Sequence, residues 1–222
     1  GLYFLVERRV VYTVSSKEEC EEPCGEGDSA LKLILGNKYL WLIAGFLILL
    51  NLVNTTGEYI LSEYVVSRAE EVVSESSSMT KEAFIGSFYG RFYTIVNIAT
   101  IIIQTFLVSR LCKWFGLPGV LFALPMVSLT TYSLAAIGVG FSIFRYSKMA
   151  ENSTDYSVMT TAKALIWLPT TKEEQYKAKQ AIDTFFVRAG DVLSAGLVFV
   201  GTQWLALSPS GFGMVNLGLI GV

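Results

Sequence analysis

The architecture follows from 145-RYSKMAENSTDYSVMTTAKALIWLP-169 and 172-KEEQYKAKQAIDTFFVRAGDVLSAG-196, where charges are threaded through sequence otherwise apolar enough to lie in a membrane. In the first stretch Lys148, Asn152 and Asp155 recur every three or four residues. A helix therefore places them on one face, together with Arg145. Ionisable groups at membrane depth cost about 2.5 to 3.5 kcal/mol each on insertion scales, so we expect this face to line an internal cavity.

Charged residues recur in the second stretch, where Asp183, Arg188 and Asp191 stand among Phe, Val and Leu. Arg188 and Asp191 are three residues apart and can pair on a helix. Two interpretations stay open for them: they line the same cavity, or they form a buried pair that locks two helices together. Lys163, near the end of the first stretch, is a further cavity residue in the first interpretation.

The composition is that of an all-α integral membrane protein. Of 222 residues, 52% are hydrophobic and 16% charged, against about 25% charged in soluble domains. The net charge of -2 argues against a nucleic-acid partner. Histidine is absent, and with it the commonest general base and metal ligand, so we expect neither an enzyme nor a metal or other cofactor.

Hydropathy predicts a six-helix bundle over 39–222. The spans are expected at about 39–59, 84–109, 118–138, 141–168, 181–206 and 212–222, the last truncated. Residues 1–38 are interpreted as the end of a preceding span plus a linker. Lys and Arg concentrate in the loops 110–116 and 170–180, whereas the loop 60–83 is acidic, so we expect the linker to be cytoplasmic.

Polar residues of the first two spans allow two interpretations each. Asn54 and Glu58 lie on one helix face with Asn51, as glue between helices or as part of a cavity. Arg91 either reaches the headgroups or contacts substrate. Cys20 and Cys24 form a weak zinc signal, and we favour a surface loop with reduced thiols.

The span layout resembles the C-terminal half of a major facilitator superfamily transporter. Within it, 156–190 is similar to the ATP/ADP translocase family of plastids and intracellular bacteria. The matching positions are Tyr156-Ser157, Lys163, Trp167, Pro169, Lys177, Lys179, Ala181-Ile182-Asp183, Arg188 and Gly190. The resemblance implies ATP:ADP exchange, an N-terminal half absent from this chain and a bacterial inner membrane.

Two departures from that family concern charge. Asp155 and Asp191 stand where the family has lysines. A nucleotide tail binds best to Lys and Arg, because charge-assisted bonds to phosphate are roughly twice as strong as neutral ones. We therefore expect a divergent member with an anionic or nucleotide-like small-molecule substrate that need not be ATP or ADP.

Three functions remain after this weighing. The favoured one is a secondary transporter working by alternating access in the lipid bilayer. The alternative is a transporter-like module that no longer transports and instead anchors or senses for attached domains. An intramembrane enzyme is the weakest, since no metalloprotease, serine-hydrolase or P-loop motif is present.

Overall fold

A computed structural model describes residues 34–75, 80–170 and 172–221, and the secondary structure there is helical. Residues 1–33 of the predicted N-terminal segment 1–38, with the Cys20 and Cys24 loop, lie outside these residues. The helices are α1 Lys38–Glu75, α2 Lys81–Ile102, α3 Val108–Ile137, α4 Phe141–Thr154, α5 Thr160–Ile166, α6 Lys172–Ala181, α7 Val187–Gln203 and α8 Pro209–Ile220. The predicted all-α class is confirmed in the described part of the chain.

Helix α1 is longer than the sequence indicated. The first span was predicted at 39–59 and followed by an acidic loop over 60–83, but the helix continues to Glu75. Ile60, Leu61, Val65 and Ala69 are fully buried at helical spacing and hold this second half against the bundle. The acidic residues between them are good helix formers and occupy the outer face.

Three π turns interrupt the other long helices. They are Ile103–Leu107 between α2 and α3, Asp155–Met159 between α4 and α5, and Ile182–Phe186 between α6 and α7. A separate bend within α3 falls at Gly116, whose φ of 62° is open to glycine at little cost. The α6 segment begins at Lys172, so much of the predicted loop 170–180 is helical.

Four helices are long and apolar enough to cross a membrane: Lys38–Ser74, Lys81–Gly116, Pro118–Ile137 and Tyr176–Gln203. The segment from α4 through α5 carries the charges noted above, and α8 has 12 residues. The finer prediction of six spans in a major facilitator arrangement stays a prediction.

Helix α1 is the centre of the bundle. It packs against α2, α4, α7 and α8, while α3 packs against α4 and α8. Its middle turns, from Asn51 to Glu58, form hydrogen bonds with polar side chains of α4 and α7. The candidate site lies at these turns.

Candidate functional site

Lys148 on α4 is the centre of a buried polar network. Its side chain is 0% exposed, and its ammonium donates to Glu151 Oε2 at 2.9 Å and to Asn54 Oδ1 at 3.2 Å. Glu151 lies one helical turn further along α4 and its side chain is 3% exposed. Because a buried ion pair is stable only if its remaining polar atoms also find partners, the surroundings of Glu151 matter as much as the pair.

Helix α3 supplies those partners. Ser128 Oγ donates to Glu151 Oε1 at 2.8 Å, and the Tyr132 hydroxyl donates to Glu151 Oε2 at 3.1 Å. The same hydroxyl lies 3.2 Å from the carbonyl oxygen of Val53 on α1. Both carboxylate oxygens are thereby satisfied, and three helices meet at one charge pair.

Glu58 on α1 connects this network to open space. It accepts from Asn152 Nδ2 at 2.8 Å and from the Tyr93 hydroxyl at 3.3 Å, and Lys148 Nζ lies 3.6 Å from it. Its side chain is 31% exposed, unlike that of Glu151. It lines a groove of about 730 Å³ between α1, α2 and α7, together with Tyr89, Tyr93, Asp191 and Thr202, among others.

The charges of the network do not cancel. One cation, Lys148, faces two carboxylates, Glu151 and Glu58, at 2.9 and 3.6 Å. The surplus negative charge is on the carboxylate that reaches the groove. Glu58 is thus the carboxylate of the network that a solute in the groove can contact while Lys148 and Glu151 stay paired.

A glycine permits the close approach of α1 to Lys148. A Cβ built on Gly57 would overlap the Tyr132 hydroxyl and come within 2.8 Å of Lys148 Nζ. The absence of a side chain at this position therefore lets the lysine and the tyrosine lie against the α1 backbone.

Asp155 and Lys163 lie beside a second, smaller cavity of about 120 Å³. Asn51, Asn54 and Asp183 line it as well. Asp155 and Asp183 each belong to a π turn: that of Asp155 directly follows α4, and that of Asp183 directly precedes α7. The π turn is a feature that often marks a functional position in a helix, because it redirects side chains. Lys163 is otherwise exposed.

Arg188 and Asp191 are paired on α7 but lie away from the Lys148 network. Arg188 Nη1 is 3.3 Å from Asp191 Oδ2, and their side chains are 81% and 42% exposed. The interpretation of a buried lock is therefore wrong. Asp191 also accepts from Asn51 Nδ2 at 2.8 Å, which attaches α7 to α1.

Arg91 lies in neither cavity. It lines a third space, of about 490 Å³, with Arg68 and Arg145. The prediction that Arg145 shares the cavity of Lys148 is wrong, because the Arg145 guanidinium lies against the rings of Phe141 and Tyr146 and lines the space with Arg91 instead.

The structure thus brings together Lys148, Asn152, Asn54 and Glu58, as their shared helix faces predicted. Sequence reasoning missed Glu151, Ser128 and Tyr132. The spacing of Glu151 from Lys148 was a usable signal, since residues three apart meet on a helix. Ser128 and Tyr132 carried none, because they lie in a span that contains no charge.

No protein-family model, curated protein or solved structure matches this chain significantly.

Within the described residues, no group of three or more His, Cys, Asp and Glu side chains is placed to hold a metal ion.

Proposed function

We propose that this chain is part of a secondary membrane transporter that works by alternating access, with Glu58 as its coupling residue. The observation that carries the proposal is the buried Lys148–Glu151 pair with a second carboxylate, Glu58, that reaches an open groove. Burying two charges costs several kcal/mol each before their attraction is counted. A bundle that needed only stability would do as well with apolar residues there.

The π turns support the same proposal. Two of them fall at Asp155–Met159 and Ile182–Phe186, on either side of the small cavity that contains Asp155 and Lys163. Helices that break their regular hydrogen-bonding near a polar cavity are typical of transporters, where one bundle rocks against another. In this proposal the chain supplies six spans of a major facilitator arrangement and a second half supplies the rest.

The charges of the groove limit which substrates it can bind. The resemblance to ATP/ADP translocases implies nucleotide exchange. The groove itself is lined by Glu58 and Asp191 and, in the described part of the chain, by no Lys or Arg. The cations beside the groove are Lys148, 3.6 Å from Glu58, and Arg188, 3.3 Å from Asp191. We propose ATP and ADP as the first substrates to test rather than the final ones.

The test is uptake of labelled ATP and ADP by intact cells that express the full reading frame, followed by a chase with unlabelled counter-nucleotide. We expect saturable uptake that the chase reverses, lost in Glu58→Gln and retained in Glu63→Gln. Glu63 is the matched control because it is exposed and lies further along the same helix.

Two results would overturn parts of this proposal. No uptake from a correctly inserted protein rejects nucleotide exchange and favours the anchor or sensor module. Normal uptake in Glu58→Gln rejects Glu58 as the coupling residue while keeping transport.

A further inference from the structure

A cationic cavity lies apart from the Lys148 network. Arg68 on α1, Arg91 on α2 and Arg145 on α4 all line a space of about 490 Å³, a volume within the range of ordinary ligand pockets. Aromatic rings surround them. The other lining residues are Val72, Phe84, Ser87, Phe88, Phe92, Ile95, Phe141, Ser142, Tyr146 and Met149. Among the described residues, the lining of this cavity has three guanidinium groups and no carboxylate, the reverse of the groove beside Glu58.

Two of the three arginines have hydrogen-bonding capacity left over. Arg145 Nε is buried and has no hydrogen-bond partner in the described residues. Within the same part of the chain the Arg91 side chain has neither an ion pair nor a hydrogen bond, and it is exposed and lines the cavity. Because a buried donor without a partner costs free energy, an acceptor entering the cavity would relieve that cost. Arg68 is different, since it is paired with Glu71 at 2.6 Å.

Arg145 is held in place before any ligand arrives. Its guanidinium carbon lies 4.7 Å from the centre of the Tyr146 ring and 6.0 Å from that of Phe141, and Nη2 donates to the Tyr146 hydroxyl at 2.8 Å. Stacking on aromatic faces fixes the plane of a guanidinium and leaves its edge free. The free edge is the part that binds phosphate oxygens in pairs.

The cavity also lies at a definite level of the bundle. Arg68 is near the C-terminal end of α1, while Phe84 and Phe141 are in the first turns of α2 and α4. The three helix ends meet at one face of the molecule. Arginine and tyrosine side chains at the ends of membrane helices lie at the depth of lipid headgroups.

We propose that the cavity between Arg68, Arg91 and Arg145 binds a phosphate group, most directly the headgroup phosphate of an anionic lipid. Arg91 and Arg145 supply the charge-assisted hydrogen bonds, and the aromatic rings pack against the adjoining carbon chain. This site is separate from the one proposed for transport, and neither depends on the other.

The test is lipid retention by the purified full chain, measured by native mass spectrometry after titration with phosphatidylglycerol or phosphatidylcholine. We expect phosphatidylglycerol to bind in preference to phosphatidylcholine. Each of Arg91→Gln and Arg145→Gln should weaken that binding by about tenfold, since one charge-assisted hydrogen bond is lost. Arg110→Gln is the control, because Arg110 is exposed on α3 and does not line the cavity.

A second arm separates lipid phosphate from free phosphate. If inorganic phosphate displaces phosphatidylglycerol from the wild-type protein but not from Arg91→Gln, the site takes free phosphate as well. Equal retention of the two lipids with no phosphate effect overturns the proposal, and so does unchanged binding in Arg91→Gln. Arg91 is the decisive position because its side chain is exposed, so we expect its variant to fold as the wild type does. Uptake of nucleotide is not measured, so failure here leaves the transport proposal standing.

Discussion

Two ion pairs in this molecule share one spacing and differ in everything else. Lys148 and Glu151 are three residues apart on α4, and Arg188 and Asp191 are three apart on α7. The first pair is 0% and 3% exposed and is 2.9 Å apart, whereas the second is 81% and 42% exposed and is 3.3 Å apart. Helical spacing thus predicts that two charges can pair, but the neighbouring helices determine how much the pair contributes to stability.

The neighbours explain the difference. Glu151 receives hydrogen bonds from Ser128 and Tyr132 on α3, and Lys148 bonds Asn54 on α1. Arg188 makes only its contact with Asp191 in the described structure. The first pair is therefore bonded to two neighbouring helices, whereas the second is bonded to one, through Asp191 and Asn51, and leaves its cation exposed.

Removing the buried cation should have the largest effect. Lys148→Met leaves Glu151 buried without a counter-charge, so we expect the free energy of unfolding of the full chain, measured by titration with sodium dodecyl sulfate, to fall by about 3 to 5 kcal/mol. The double variant Lys148→Met/Glu151→Leu should recover part of this loss, since the carboxylate left without Lys148 is then the partly exposed Glu58 and not the buried Glu151. A loss below about 1 kcal/mol for the single variant would mean that the pair behaves as an exposed one.

Crowding the buried pair should have an intermediate effect. In Gly57→Ala the new methyl group meets the Tyr132 hydroxyl and Lys148 Nζ, and we expect a loss of about 1 to 3 kcal/mol from overpacking in the same titration. Gly90→Ala is the control, because nothing lies within 4 Å of its Cβ position and alanine favours the helix. If both variants shift stability equally, Gly57 does not set the approach of α1 to α4.

The exposed pair should show the smallest effect. Arg188→Met removes a cation by the same chemical change as Lys148→Met, but we expect a loss of no more than about 1 kcal/mol. Raising the salt concentration should reduce the effect further, because screening acts on exposed charges. A loss comparable with that of Lys148→Met would show that α7 packs against a partner that buries Arg188.

The sequence predicted the parts of the fold in which apolar residues recur at the spacing of a helix. Apolar spacing predicted the helices of the apolar segments but not the second half of α1 or the helix α6, and Pro169 marked the region where α5 ends, at Ile166. The spacing of apolar residues does not show how far a helix continues when acidic residues occupy its outer face. The second half of α1 was accordingly predicted as a loop, since the buried Ile60, Leu61 and Val65 occur among glutamates.

The candidate site was predictable only where both partners carried charge or amide groups. The faces of Lys148, Asn152, Asn54 and Glu58 were each correct, and these residues do meet. Which face of one helix meets which face of another depends on tertiary packing. Tyr132 belongs to the site because α3 crosses α1 at Val53, and Arg145 does not belong because it is directed toward α2.

The π turn at Asp155–Met159 changes the direction in which the side chains after it point. One additional residue in a turn rotates everything beyond it by about 100° relative to a regular α-helix. A regular helix would place Lys148 and Lys163, fifteen residues apart, within about 60° of each other. With the π turn between them, Lys148 lies in the buried network and Lys163 lines the small cavity. Deleting a single residue of this turn would rotate Lys163 out of the small cavity while every side chain before the turn stayed in place.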